Sequence, residues 1–297
     1  MFKTLSNSMI LAKECWEVLM QDKEMLVYPT LTSIFNLCIL CMAYFYFLGI
    51  AFLEGTTLAN YSTMQWTLAG ILCATTLYAC HFSYSFFECA LVASAIKRLK
   101  GDDPTLMYGI GVASDRIPQL AAWSFYMTVF GIMMACLKSL LNSKLLRSII
   151  GKVAETAWNI VTVFVLPIIV IEEQGAMAAA KKSTGLIRQK WGEAATLEIG
   201  FGALSSVAAT PLAGLFIAAG FMQSVSPALS LALTVFAIVL GVLLGLVIAA
   251  LSGIAKAVLY NYAVGGNIPD VIHKDVLDQA VVKREDNGAI IENRFQT

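Results

Sequence analysis

Charge and histidine are what this sequence has least of. Asp, Glu, Lys and Arg make up 13% of its 297 residues, against about a quarter in soluble domains. Apolar side chains fill the deficit, at 58% of the total with a mean hydropathy of +0.74. That composition excludes an ordinary soluble domain and places the chain in the membrane class. Neither sign dominates: twenty Lys and Arg balance twenty Asp and Glu, so no basic surplus points to nucleic acid. Two histidines rule out a His-rich metal site, and there is no Walker A, G-x-S-x-G or H-E-x-x-H pattern. Nothing implies a cofactor. Cys38 and Cys41 form a C-x-x-C, but no second pair or nearby His completes a metal set, so they read as small packing residues. The first twenty-four residues lack an apolar core and a small-residue cleavage site, which argues against a cleavable signal peptide.

What is present is a series of long apolar runs. Six are long enough to cross a bilayer: Leu26–Leu53, Trp66–Ile96, Gln119–Leu137, Ala154–Ile171, Thr196–Met222 and Ser226–Tyr260. The second exceeds the need by roughly two turns and is expected to project beyond the hydrocarbon. In residues 1–24, Phe2, Leu5, Met9, Ala12, Trp16 and Leu19 recur at steps of three and four. That is one helical face, too short to span, which either lies on the membrane or docks on the protein itself. Further surface helices are expected at 104–117, 139–153 and 174–190. The fold class is therefore all-α: a polytopic helical membrane protein of about six spans with amphipathic interfacial helices. It forms one membrane domain, 1–264, and a polar tail, 265–297.

The stretch Ala157–Glu198 condenses this pattern. An apolar segment carrying Pro167 ends on Glu172-Glu173, small residues follow, and then come Lys181, Lys182, Arg188 and Lys190 before Trp191-Gly192-Glu193. Cations and an interfacial tryptophan between two apolar blocks make Lys181, Lys182, Arg188, Lys190 and Trp191 a candidate lipid-binding surface. Anchoring at the surface explains them better than catalysis. Loop charges orient the chain: with both termini in the cytoplasm, sixteen Lys and Arg lie inside and four outside. All four exceptions fall in Lys138–Lys152. Either that segment is a surface helix outside, or the third and fourth runs do not fully cross and four true spans remain.

Ionisable residues inside spans are functional leads, because hydrocarbon makes them costly. The second span offers His81 and Glu88, seven residues apart on one face, with Tyr84 and Ser85 between them. They form a proton or cation site, or else each bonds a neighbouring helix; about 10 Å along the axis is too far for direct contact. The last two spans carry small residues at steps of four, among them Gly202, Ser206 and Gly214 in one and Gly241, Gly245 and Gly253 in the other. Such stripes let helix backbones approach closely, within the chain or across a homodimer seam.

Several of these residues carry a resemblance. Asp22-Lys23 before Tyr28-Pro29, Ala157-Trp158, Leu166-Pro167 leading to Glu172, Ser183, Leu186, Trp191-Gly192-Glu193, and Tyr260-Asn261-Tyr262-Ala263 before Pro269 resemble a family of uncharacterised bacterial and archaeal multi-pass membrane proteins. The membrane domain attached to some glycerophosphodiester phosphodiesterases is distantly similar; there the chemistry resides in a separate soluble domain. The resemblance implies a helical membrane fold in the bacterial inner membrane and names no activity. The expected function is a non-enzymatic module that organises membrane lipids or protein partners, as a homo-oligomer or with another membrane protein. The competing class is a channel or transporter using the second span, with the prolines of the fourth and fifth spans breaking their helices. An intramembrane enzyme is third.

Overall fold

In lipid, a backbone must satisfy its own hydrogen bonds, and helices do so within one segment. Every regular element among the described residues is accordingly helical. The computed structural model describes residues 2–53, 62–141, 143–189 and 191–264, and the side chains of 12–49, 62–141, 143–187, 205–207 and 209–264. The expected tail at 265–297 and most of the first loop lie outside these residues. In chain order the helices are α1 (Phe2–Gln21), a 3-10 turn (Lys23–Leu26), α2 (Val27–Leu53), α3 (Thr63–Leu99), α4 (Leu106–Asp115) and α5 (Ile117–Leu140). There follow α6 (Lys144–Thr162), α7 (Val165–Glu172), α8 (Ala176–Gln189), α9 (Trp191–Met222) and α10 (Pro227–Ala263). Six are long and apolar enough to cross a membrane: α2, α3, α5, α6 with α7, the last 18 residues of α9, and α10. The protein is a multi-pass helical membrane protein.

Local chemistry sets the helix starts. Ser62 and Gln65 form a reciprocal capping box on α3, and Thr105 and Ser143 cap α4 and α6 through their hydroxyls. Proline occupies the first turn of α5 and of α10, where its missing N–H has no intrahelical role.

The helices pack tightly at one end, here termed basal, and spread at the other. Tyr28, Leu91, Ile168, Ile169, Ile254 and Tyr260, from α2, α3, α7 and α10, are at most 1% exposed. At the distal end α2 and α10 present Met42, Phe45, Val239 and Leu243 outward. Lipid tails are as apolar as these side chains and supply no drive to pull the distal segments together. The amphipathic α1 docks on the protein itself, packing on α9 and α10 and burying Cys15, Val18 and Leu19 while Trp16 stays exposed.

One expectation about surface helices changes. There is no separate helix at 139–153. Helix α5 ends at Leu140, and α6 begins at Lys144 and runs directly into the span. Lys138 lays its aliphatic stem over Gly151 and ion-pairs with Glu155, so the polar segment is used to pair α5 with α6. The short surface helix expected at 104–117 is present as α4, with Met107 and Tyr108 exposed. The α4 helix packs along the last part of α3, with Lys97 over the Tyr108 ring at 4.2 Å, and Arg116 both ends α4 and starts α5.

The prolines of the fourth and fifth spans also behave differently. Proline removes an N–H and its ring crowds the carbonyl four residues earlier. For Pro167 that carbonyl belongs to Val163, and there the helix breaks into α6 and α7. The Ser183 hydroxyl of α8 donates to the Val161 carbonyl at 2.6 Å, serving the interrupted end. Pro211, by contrast, sits within an unbroken α9.

Gly109 marks a close approach of α4 to α3. A Cβ there would meet the Tyr28 hydroxyl at 2.2 Å, Ser94 Oγ at 2.6 Å and the Ala90 backbone carbonyl at 2.7 Å. Gly70, in the same bundle, has nothing within 4 Å. Gly109→Ala is therefore expected to destabilise the protein by about 1–3 kcal/mol. Gly70→Ala should stay within about 1 kcal/mol of the parent. Thermal unfolding in detergent micelles compares the two; equal melting points would refute this account of the α3–α4 contact.

Candidate functional site

Helix α10 contains one charged residue, Lys256, and α3 contains one acid, Glu88. The fold brings them together. Lys256 Nζ donates to Glu88 Oε1 at 2.8 Å and to the Tyr84 hydroxyl at 3.4 Å. The two charged side chains are 15% and 7% exposed. Gly253, one turn before Lys256, makes the approach possible, because a Cβ there would meet Leu91 Cδ2 at 2.4 Å. A lone charge in hydrocarbon costs about 2.5–3.5 kcal/mol on insertion scales, so each charge makes the other tolerable.

A second polar cluster lies one turn further along α10. Tyr260 donates its hydroxyl to Glu172, the last residue of α7, and its ring lies 5.9 Å from that of Phe164. The same carboxylate accepts from Lys182 of α8 at 2.5 Å and from the Gln174 amide at 3.0 Å. The next residue, Glu173, has a left-handed φ of 57°, ends α7, and accepts from Arg116 at the α4–α5 junction. Adjacent glutamates thus clasp α7 to α8, to α10 and to the α4–α5 corner.

Near the basal end Tyr28 shares a hydrogen bond with Ser94 at 2.7 Å and donates to the Leu106 carbonyl at 3.2 Å. Asp22 caps the 3-10 turn by accepting from the Glu24 N–H at 3.2 Å. Burial raises its carboxyl above the ordinary value, against the lowering effect of that bond.

The residues expected on one face of the second span separate. His81 turns to α5, with Nδ1 3.0 Å from Thr128 Oγ1. The Thr128 hydroxyl donates to the Ser124 carbonyl at 2.8 Å, so the imidazole is the donor to Thr128. Tyr84 and Glu88 go to Lys256 instead, and Ser85 is buried alongside. No hydrogen bond joins His81 to Glu88 among the described residues.

On α8, Ala176, Ala179, Ser183 and Ile187 face inward, and Met177, Ala178, Lys181, Lys182 and Gly185 face outward. Neither the Arg188 and Trp191 side chains nor Lys190 falls among the described residues. Trp158 lies against α5, stacked 4.0 Å from Phe130 with Nε1 donating to Met127 Sδ at 3.3 Å. Of the small-residue stripes, a Cβ added at Gly241 would meet Leu212 Cδ1 of α9 at 3.5 Å, and one at Gly253 would meet Leu91 of α3. Gly214 and Gly245 have nothing within 4 Å and Ser206 is exposed; Gly202 is not described at this level. Among the described residues no three His, Cys, Asp or Glu side chains gather to hold a metal ion.

Sequence reasoning missed Lys256, Tyr260 and Thr128 as partners. For Lys256 the signal was available: a single cation in a 37-residue apolar helix requires a counter-charge. Breaking such a pair is expected to cost about 3 kcal/mol or more, and removing both charges far less. Glu88→Met and Lys256→Met should each lower the melting point markedly, while the double variant recovers most of the loss. Unfolding of the four proteins in one detergent gives the coupling energy; additive losses would show that the pair does not interact.

Comparison with known proteins adds one finding. No curated protein and no solved structure matches the chain, so the distant similarity to phosphodiesterase membrane domains finds no support there. One family covers residues 67–269, from the first turns of α3 past the end of α10, and so includes Glu88, Glu172, Lys256 and Tyr260. The chain therefore belongs to the family of unknown function DUF6159.

Proposed function

We propose that the protein is a non-enzymatic module of the bacterial inner membrane that gathers anionic lipid head groups at its basal end. Through them it organises lipid or protein partners, as a homo-oligomer or beside another membrane protein. The outward face of α8 carries this reading. It offers Lys181 and Lys182 next to Met177, and the helix has no acidic residue to oppose them. A cation near an anionic membrane surface contributes about 1 kcal/mol. The distribution of basic residues supports placing this end, and both termini, on the cytoplasmic side. The ionisable groups of α3 and α10 fit a structural role, because Glu88 is neutralised by Lys256.

The second reading is a channel or transporter. A buried ion pair on α3, together with a broken helix α6–α7 packed on the same α3, favours it. No observation favours the intramembrane enzyme.

Native mass spectrometry of the protein from nanodiscs containing phosphatidylcholine and phosphatidylglycerol tests the first reading and reports the oligomeric state. Phosphatidylglycerol should be retained preferentially, and Lys181→Ala with Lys182→Ala should cut that retention by roughly tenfold. Retention that ignores both lysines would overturn the lipid reading. Proteoliposome flux decides the second: pH-dependent flux abolished by Glu88→Gln would replace the module with a transporter.

A further inference from the structure

Lys182 belongs to two sites at once. Its ammonium lies 2.5 Å from Glu172, inside the clasp, yet its side chain is 40% exposed, against 19% for the glutamate. It also sits beside Lys181 on the outward face of α8, and Lys181 has no ion-pair partner among the described residues. We propose that Lys182 is shared between Glu172 and the phosphate of an anionic lipid, so that a lipid docking on α8 loosens the clasp between α8 and α10. The proposal rests on the reading of α8 as a surface for anionic lipid.

Three features make the exchange inexpensive and local. Glu172 is not left bare when Lys182 departs, because the Tyr260 hydroxyl and the Gln174 amide still donate to it. A buried carboxylate that lost its last donor would resist release; one that keeps two does not. The incoming phosphate is met by two adjacent ammonium groups and by no acidic residue on the helix. Finally, α8 stays seated by Ala176, Ala179 and Ile187, all nearly inaccessible, and by the Ser183 bond to Val161. Lipid therefore changes how tightly α8 is held to Glu172 without removing the helix. The consequence reaches inward: α8 covers the α6–α7 break, and α7 packs on α3. Lipid composition is thus sensed at the surface and transmitted to the one interrupted span.

Hydrogen–deuterium exchange of the full-length protein tests this in nanodiscs of phosphatidylcholine alone and of phosphatidylcholine with phosphatidylglycerol. The α8 amides between 177 and 187 should exchange at least about threefold faster with the anionic lipid. Glu172→Gln should exchange fast in phosphatidylcholine and respond no further to phosphatidylglycerol. The comparison on the unmodified protein needs no variant, so a misfolded Glu172→Gln leaves the test intact. Equal or slower exchange in the anionic discs, with lysine-dependent lipid retention preserved, overturns the shared lysine and leaves the lipid surface standing. Retention that does not depend on Lys181 and Lys182 removes the lipid surface, and the exchange falls with it.

Discussion

The contact between Lys256 and Glu88 is the one on which the basal bundle depends. Each residue is the only one of its charge in a 37-residue helix, and neither charge is affordable in hydrocarbon alone. Their pairing fixes α10 against α3 in rotation as well as depth. Gly253 must then face Leu91, and Tyr260 must face Glu172 one turn later. From Glu172 the constraint passes to α8 through Lys182, and from Glu173 to the α4–α5 corner through Arg116. A single electrostatic requirement thereby orients most of the elements that meet at this end.

The same physics explains why the two ends differ. At the basal end, polar groups drawn out of water need partners, and satisfying them pulls helices together. Tyr28 with Ser94, Ser183 with the Val161 carbonyl and Tyr260 with Glu172 are all of this kind. Along the distal halves of α2 and α10 the outward side chains are apolar and lipid serves them equally well, so these segments remain open to it. Pro167 can interrupt a span only because the interruption is enclosed by protein, with Phe164 and Val165 inaccessible.

Function follows the same division. The charges inside the bundle are occupied with one another. Lys181 and Lys182 of α8 look outward, and Lys182 also takes part in the clasp.

Much of the architecture was legible in the sequence, and the reason is locality. Hydropathy over contiguous residues determined the helical class and the six apolar spans. The cations of 181–190 were legible as a charged break between two apolar runs. Which charge meets which was not legible, since Glu88 and Lys256 are separated by 168 positions and no periodicity links them. Spacing alone put His81 and Glu88 on one face of the second span. Only the packed bundle decided that α5 would take the first residue and α10 the second. Likewise, the polar run at 139–153 has the pattern of a surface helix, yet most of it became the start of α6, where Glu155 pairs with Lys138 of α5. Local sequence determines what each segment can be, and pairing energies between distant segments decide what it becomes.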